Sequence, residues 1–131
     1  MKKILKKINN NFYRKITLWS LKKKLPKNFL NHLATLKNSD YIIDVGANVG
    51  LVTEIMAQTN AKVIAFEPNN QAFKKLNKLR MRYKNLETIN KAAGIKDDKL
   101  KLFFHKNTKT SNNDLTQASS LLKNKPNVSE D

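Results

Sequence analysis

The sequence predicts an α/β fold built on a parallel sheet of the doubly wound, nucleotide-binding kind, and three observations predict it. A β-branched run, Ile42-Ile43-Asp44-Val45, leads into a glycine turn, Gly46-Ala47-Asn48-Val49-Gly50, and then into a helix-like stretch. Lys62-Val63-Ile64-Ala65-Phe66 repeats the apolar strand pattern and ends in Glu67-Pro68-Asn69. A third strand candidate runs from Leu86 to Ala93, with Gly94 marking its end. Strands alternating with helical stretches of this length make parallel sheets, and unbroken apolar runs are the composition of strands covered on both faces.

At 131 residues the chain suffices for one domain with a real core. Cysteine is absent, which excludes a disulfide scaffold, thiolate metal sites and a thiol nucleophile. The two histidines, His32 and His105, are far apart, and no metal site is expected. The formal charge of +16 points towards nucleic acid or an anionic membrane surface. However, lysine supplies nearly all of it, scattered along the chain, and arginine occurs only as Arg14, Arg80 and Arg82. Nucleic-acid sites usually add arginine forks and stacking aromatics. On that ground the charge reads as compositional bias, and nucleic acid is not expected as the partner.

Residues 1–37 contain no acid and form a basic arm, with Lys2-Lys3, Lys6-Lys7 and Lys22-Lys23-Lys24. Ile4, Ile8, Phe12, Ile16 and Trp19 recur at three- and four-residue steps, so one helix face is apolar. Packing of that face on the domain is favoured over a helix lying on an anionic membrane, and a targeting signal is the weakest reading because lysine, arginine or asparagine interrupts every apolar run. Pro26 punctuates the arm, and Phe29, Leu30, Leu33 and Leu36 mark a second short helix that carries His32. After the glycine turn, Val52, Ile55 and Met56 give the next helix a stripe for the sheet, with Glu54 towards solvent and Asn60 as the stop. Phe73, Leu76, Leu79 and Tyr83 form the buried face of a further helix whose outside carries Lys74, Lys75, Lys78, Arg80 and Arg82. Beyond the third strand, Asp97-Asp98 reads as a turn and Lys99 to His105 as a strand with Leu100, Leu102 and Phe104 on one side. His105 reads as structural rather than as a base, and the chain beyond Asn107 is mostly polar.

The chemistry gathers at the strand tips. Ligands of open α/β sheets bind beyond the carboxyl ends of the strands, where Asp44 stands before the turn and Glu67 at the next tip. The spacing fits neither a dinucleotide fingerprint, since Asn48 replaces its middle glycine and Leu51 its last, nor a Walker loop. A carboxylate before the turn attracts an ammonium group and repels a phosphate. An acid roughly 20 residues past the turn is placed to accept from ribose hydroxyls. Asn90, at the third tip, is placed near the same ligand.

Asp44-Val45-Gly46-Ala47-Asn48-Val49-Gly50 followed by Phe66-Glu67-Pro68-Asn69 resembles the FkbM family of S-adenosylmethionine-dependent methyltransferases, over roughly residues 40–125. Asn90 to Gly94, the Leu100–Phe104 segment and Ala118-Ser119-Ser120-Leu121 are looser echoes. The resemblance implies a Rossmann-like class I methyltransferase fold, S-adenosylmethionine as cofactor, and O-methylation of a sugar, glycan or metabolite hydroxyl. It implies that Asp44 and the turn of Gly46, Ala47, Asn48 and Gly50 hold the methionine portion and that Glu67 lies at the ribose, with Pro68 as a further expected cofactor contact. Apart from the resemblance, parallel pairing of the third strand places Asn90 or its neighbours at the adenine. No residue is assigned as the catalytic base.

That family continues into a fourth strand with an Asp-x-Glu-Gly-like segment, which this chain lacks. The expectation is therefore a basic helical arm (1–37) before the first part of a methyltransferase domain (38–131). The missing portion or an oligomer partner would complete the sheet, and activity alone is doubtful. The expected partner is a small-molecule or glycan acceptor, with peripheral membrane contact through the arm as a further one, and the expected location is cytoplasmic. Two alternatives from other classes are a basic interaction module for anionic lipid or nucleic acid, and a non-functional gene fragment.

Overall fold

The computed structural model describes residues 2–94, with side chains from residue 12 onward. In chain order these form α1 (Lys2–Lys24), α2 (Lys27–Thr35), β1 (Tyr41–Val45), α3 (Leu51–Met56), β2 (Lys62–Phe66), α4 (Asn70–Leu76), a 3-10 helix (Asn77–Met81) and β3 (Leu86–Ile89). The strands make one parallel sheet in the order β1-β2-β3. The pairing runs from Tyr41 opposite Lys62 to Val45 opposite Phe66, and from Val63 opposite Leu86 to Phe66 opposite Ile89. This is the predicted α/β, Rossmann-like arrangement of parallel strands and crossover helices. The expected strand at 99–105, with His105, the Asp97-Asp98 turn and the tail, lies outside the described residues.

Side chains alternate across a strand, so the register fixes what each face carries. Ile42, Val63, Ala65, Leu86 and Thr88 share the inner face, and the last four are buried. Val63, Ala65 and Leu86 join Ala47, Ala57, Leu76 and Leu79 in the core, against which Ile42, Met56, Phe73 and Tyr83 pack. Tyr41, Ile43 and Val45 point the other way and are 60%, 56% and 62% exposed. The expectation that β1 is covered on both faces therefore fails among the described residues, because its Tyr41, Ile43 and Val45 face is left exposed. Among the described residues β1 and β3 are the outer strands of the sheet.

The crossovers are punctuated as their residues require. Pro26 precedes α2, whose Leu33 is buried. Asn69 caps α4, its Oδ1 accepting from the Gln71 and Ala72 amides at 2.9 and 3.3 Å. Helix α3 ends earlier than Asn60, at Met56. The predicted Phe73, Leu76, Leu79, Tyr83 face is inward, but it is shared between α4 and the 3-10 helix. Gly50 sits at φ 85°, and a Cβ there would come within 2.7 and 2.8 Å of Leu79 Cδ1 and Leu76 Cδ1. Its bareness lets the start of α3 close on that inward face, a packing role rather than room for a ligand.

Two expectations about the first helix are reversed by partners distant in sequence. Phe12, Ile16 and Trp19, expected on the packed face, are 60%, 47% and 60% exposed. The helix instead turns Arg14, Leu18 and Leu21 inward, and Arg14 reaches Glu54. Glu54, expected in solvent, is 2% exposed. Among the described residues no helix is long and apolar enough to cross a membrane.

Candidate cofactor site

The site is assembled by the three strand tips, and its hydrogen bonds connect the residues singled out in the sequence. Gly46 and Asn48 have φ of 81° and 51°. These left-handed steps suit glycine and asparagine and turn the chain sharply off β1. The Phe66 carbonyl accepts from both the Gly46 and Ala47 amides at 3.0 Å, which fastens the turn to the end of β2. The Ala47 carbonyl accepts from the Gly50 amide at 2.9 Å. A Cβ added to Gly46 would meet nothing within 4 Å, so this side of the turn is open.

Glu67 binds the parts together. Its Oε2 accepts from the Asn48 amide at 2.7 Å and its Oε1 from the Asn69 amide at 2.7 Å. The residue is only 6% exposed, yet each carboxylate oxygen has a second lone-pair direction. From the third tip, Asn90 donates through Nδ2 to the Glu67 carbonyl at 2.7 Å. Asp44 is half-buried and accepts through Oδ2 from the Thr53 hydroxyl at 2.6 Å. Among the described residues no donor reaches its Oδ1. Thr53 and Asn69, which orient these acids, are not among the residues expected at the site. A threonine in the first turn of a helix and an asparagine just before one are nonetheless recognisable signals.

The donor and acceptor balance says what can bind. The amides of Gly46, Ala47, Asn48 and Gly50 are engaged within the protein, so the turn is no open nest of N–H groups for a phosphate. What remains is acceptor capacity on Asp44 and Glu67. A ligand carrying an ammonium group and hydroxyls matches it; an anion does not. S-adenosylmethionine is of the first kind, and the residues present fit it. Gly46, Ala47 and Asn48 border this acceptor pair, Gly50 faces the core, and Pro68 holds the bend between Glu67 and Asn69.

No family model matches the chain. Over 78 residues it is 36% identical to ribosomal RNA small subunit methyltransferase A of Levilactobacillus brevis, which covers 53% of this chain and 26% of that protein. The protein of the same name from Leuconostoc mesenteroides is 35% identical over 77 residues, 52% of this chain and 26% of its own length. The Leuconostoc citreum protein of that name is 32% identical over a stretch of the same size. The chain spans about a quarter of the curated relatives it matches. A Clostridium thermocellum structure described as an rRNA methylase superposes at TM-score 0.39 with 19% identity, over 44% of this chain and 34% of that one.

The curated relatives are methyltransferases, and the likeness to them does not reach the FkbM subdivision. They also correct the expected partners. Proteins named for ribosomal RNA overturn both the small-molecule or glycan acceptor and the exclusion of nucleic acid. The exclusion rested on scattered lysine charge and on the want of arginine forks and stacking aromatics; the second ground weakens, because Phe12 and Trp19, expected on a packed face, are exposed.

Proposed function

We propose that residues 38–131 carry the S-adenosylmethionine-binding strand tips of an RNA methyltransferase, with residues 1–37 as its basic arm. The observation that carries the reading is the 2.7 Å bond from the Asn48 amide to Glu67 Oε2, which joins the glycine turn and the second acid into one acceptor-rich group at the strand tips. The partial identity to ribosomal RNA methyltransferases and the +16 charge support RNA as the substrate class.

In this reading Glu67 accepts from the ribose hydroxyls through the lone pairs its backbone partners leave over. Asp44, held by Thr53, offers Oδ1 to the ammonium group. Asn90 pins the third tip to the Glu67 carbonyl and so fixes the wall beside the base. When bound, the cofactor supplies a sulfonium methyl group that is open to in-line displacement by an acceptor atom. The described residues contribute by positioning, which alone accounts for much of the acceleration of a two-reactant transfer. None of them is assigned as a general base.

Calorimetry with S-adenosylhomocysteine tests the reading. Saturable binding is expected, weakened about tenfold or more by Glu67→Gln and by Asp44→Asn while the fold, followed by circular dichroism, is kept. Absence of heat from well-folded protein, or equal affinity in both variants, would contradict it.

A further inference from the structure

Helix α1 contributes to two surfaces besides its packing on α3. One is a groove of about 460 Å³ between α1 and the α4 to 3-10 segment. Arg14 lines one wall and Lys75, Lys78 and Arg82 the other, and its lining contains no acid. Val49 and Leu51 also border it, so it opens beside the glycine turn. Beneath it, Glu54 pairs with Arg14 and Arg82 at 2.6 and 3.5 Å, so this one carboxylate already faces two guanidinium groups. The other surface is the outward ridge, where Phe12, Tyr13 and Trp19 are 60%, 63% and 60% exposed.

We propose that this ridge and groove together form the surface on which an RNA strand docks, with phosphates along the groove cations and bases stacked on the ridge aromatics. The inference rests on the reading of RNA as the substrate class. Charge complementarity selects a polyanion, since α1 has no acidic residue and the first acid in the chain is Asp40. The placement of the cations selects RNA over a lipid surface. A helix that lies in a membrane interface keeps its cations opposite its apolar face. Here Phe12, Ile16, Trp19 and Lys23 follow one another at four- and three-residue steps and share a single face. Lys23 Nζ stands 3.6 Å from the centre of the Trp19 ring, so a cation sits within the aromatic stripe. Aromatic rings interleaved with cations are the pattern that holds single-stranded nucleic acid, by base stacking and phosphate pairing together.

Trp19 is the sole tryptophan, so its fluorescence reports the ridge directly. The full chain is titrated with a short, mixed-sequence single-stranded RNA, in parallel with phosphatidylglycerol vesicles and with S-adenosylhomocysteine. RNA should quench Trp19, with an affinity that falls as salt rises. Trp19→Ala, followed by anisotropy of labelled RNA, should weaken binding about tenfold and Trp19→Phe much less. Lys75→Glu with Lys78→Glu should weaken it at least tenfold and lower the salt slope by roughly 0.7 for each phosphate that is no longer neutralised. RNA binding that leaves Trp19 fluorescence unchanged, or that is indifferent to the paired lysine variant, overturns the proposal. So does a Trp19 blue shift on vesicles with no response to RNA. S-adenosylhomocysteine binding without RNA docking defeats this inference alone, whereas RNA docking without S-adenosylhomocysteine binding defeats the cofactor reading and leaves the surface standing.

Discussion

Glu54 and Glu67 are both buried carboxylates, 2% and 6% exposed, and they are stabilised in opposite ways. Glu54 is held by side chains that arrive from far along the chain. Arg14 Nε and Nη2 both lie 2.6 Å from its Oε2, Arg82 Nη1 lies 3.5 Å from its Oε1, and the Tyr83 hydroxyl donates to Oε1 at 3.2 Å. Glu67 is held by the Asn48 and Asn69 backbone amides of the turns on either side of it. The first arrangement ties α1 and the end of the 3-10 helix to α3 and saturates its acid with cations. The second builds a turn and leaves each carboxylate oxygen with further acceptor capacity. The two buried acids are thus distinguished by what their partners are, not by burial.

That contrast can be broken from either end. The largest effect is expected for Arg14→Ala, which leaves Glu54 buried with only the longer Arg82 and Tyr83 interactions. Urea denaturation should show stability reduced by about 3 kcal/mol, with S-adenosylhomocysteine affinity of the folded fraction unchanged. Glu67→Ala should do both kinds of damage. Two turn amides lose their acceptor, for about 2 kcal/mol by the same denaturation measurement, and calorimetric binding should fall beyond detection. A smaller response is expected from Thr53→Val, which frees Asp44 to rotate. It should lower affinity about threefold and cost about 1 kcal/mol of stability. A finding that Arg14→Ala abolishes cofactor binding in folded protein would erase the distinction between the two acids.

The smallest effect concerns Tyr83. Burial, and then the neighbouring Glu54 charge, raise its phenol above the ordinary 10.0. The folded protein therefore holds this proton more tightly than the unfolded chain does. The stabilisation is complete below the ordinary pKa and is lost as pH rises through and beyond it. An ultraviolet phenolate titration of folded protein should show a late transition that Tyr83→Phe removes.

The legible parts of this molecule are those whose cause is local. The β-branched runs at 42–45 and 62–66 became strands, and the glycine turn bent where Gly46 and Asn48 adopt positive φ. Leu76 and Leu79 went inward because their spacing places them on one helical face. Asp44 and Glu67 stand at neighbouring strand tips because parallel pairing sets Asp44 opposite Ala65, two residues before Glu67. Glu54 could not be read in this way. In a short amphipathic helix a lone acid belongs outside, and its burial is made tolerable by partners distant in the chain, Arg14, Arg82 and Tyr83.

The amino-acid order by itself determined the alternation of strand and helix, the sharp turn, and the two acids that flank it, since each follows from backbone preference and short-range periodicity. Tertiary structure alone decided which face of α1 is bare, which acid is neutralised, and that Gly50 serves packing. Those outcomes depend on which of several sterically acceptable surfaces meets a partner distant in the chain. For α1, the ion pair with Glu54 sets the orientation, and Phe12, Ile16 and Trp19 are left outward because Arg14 must point in.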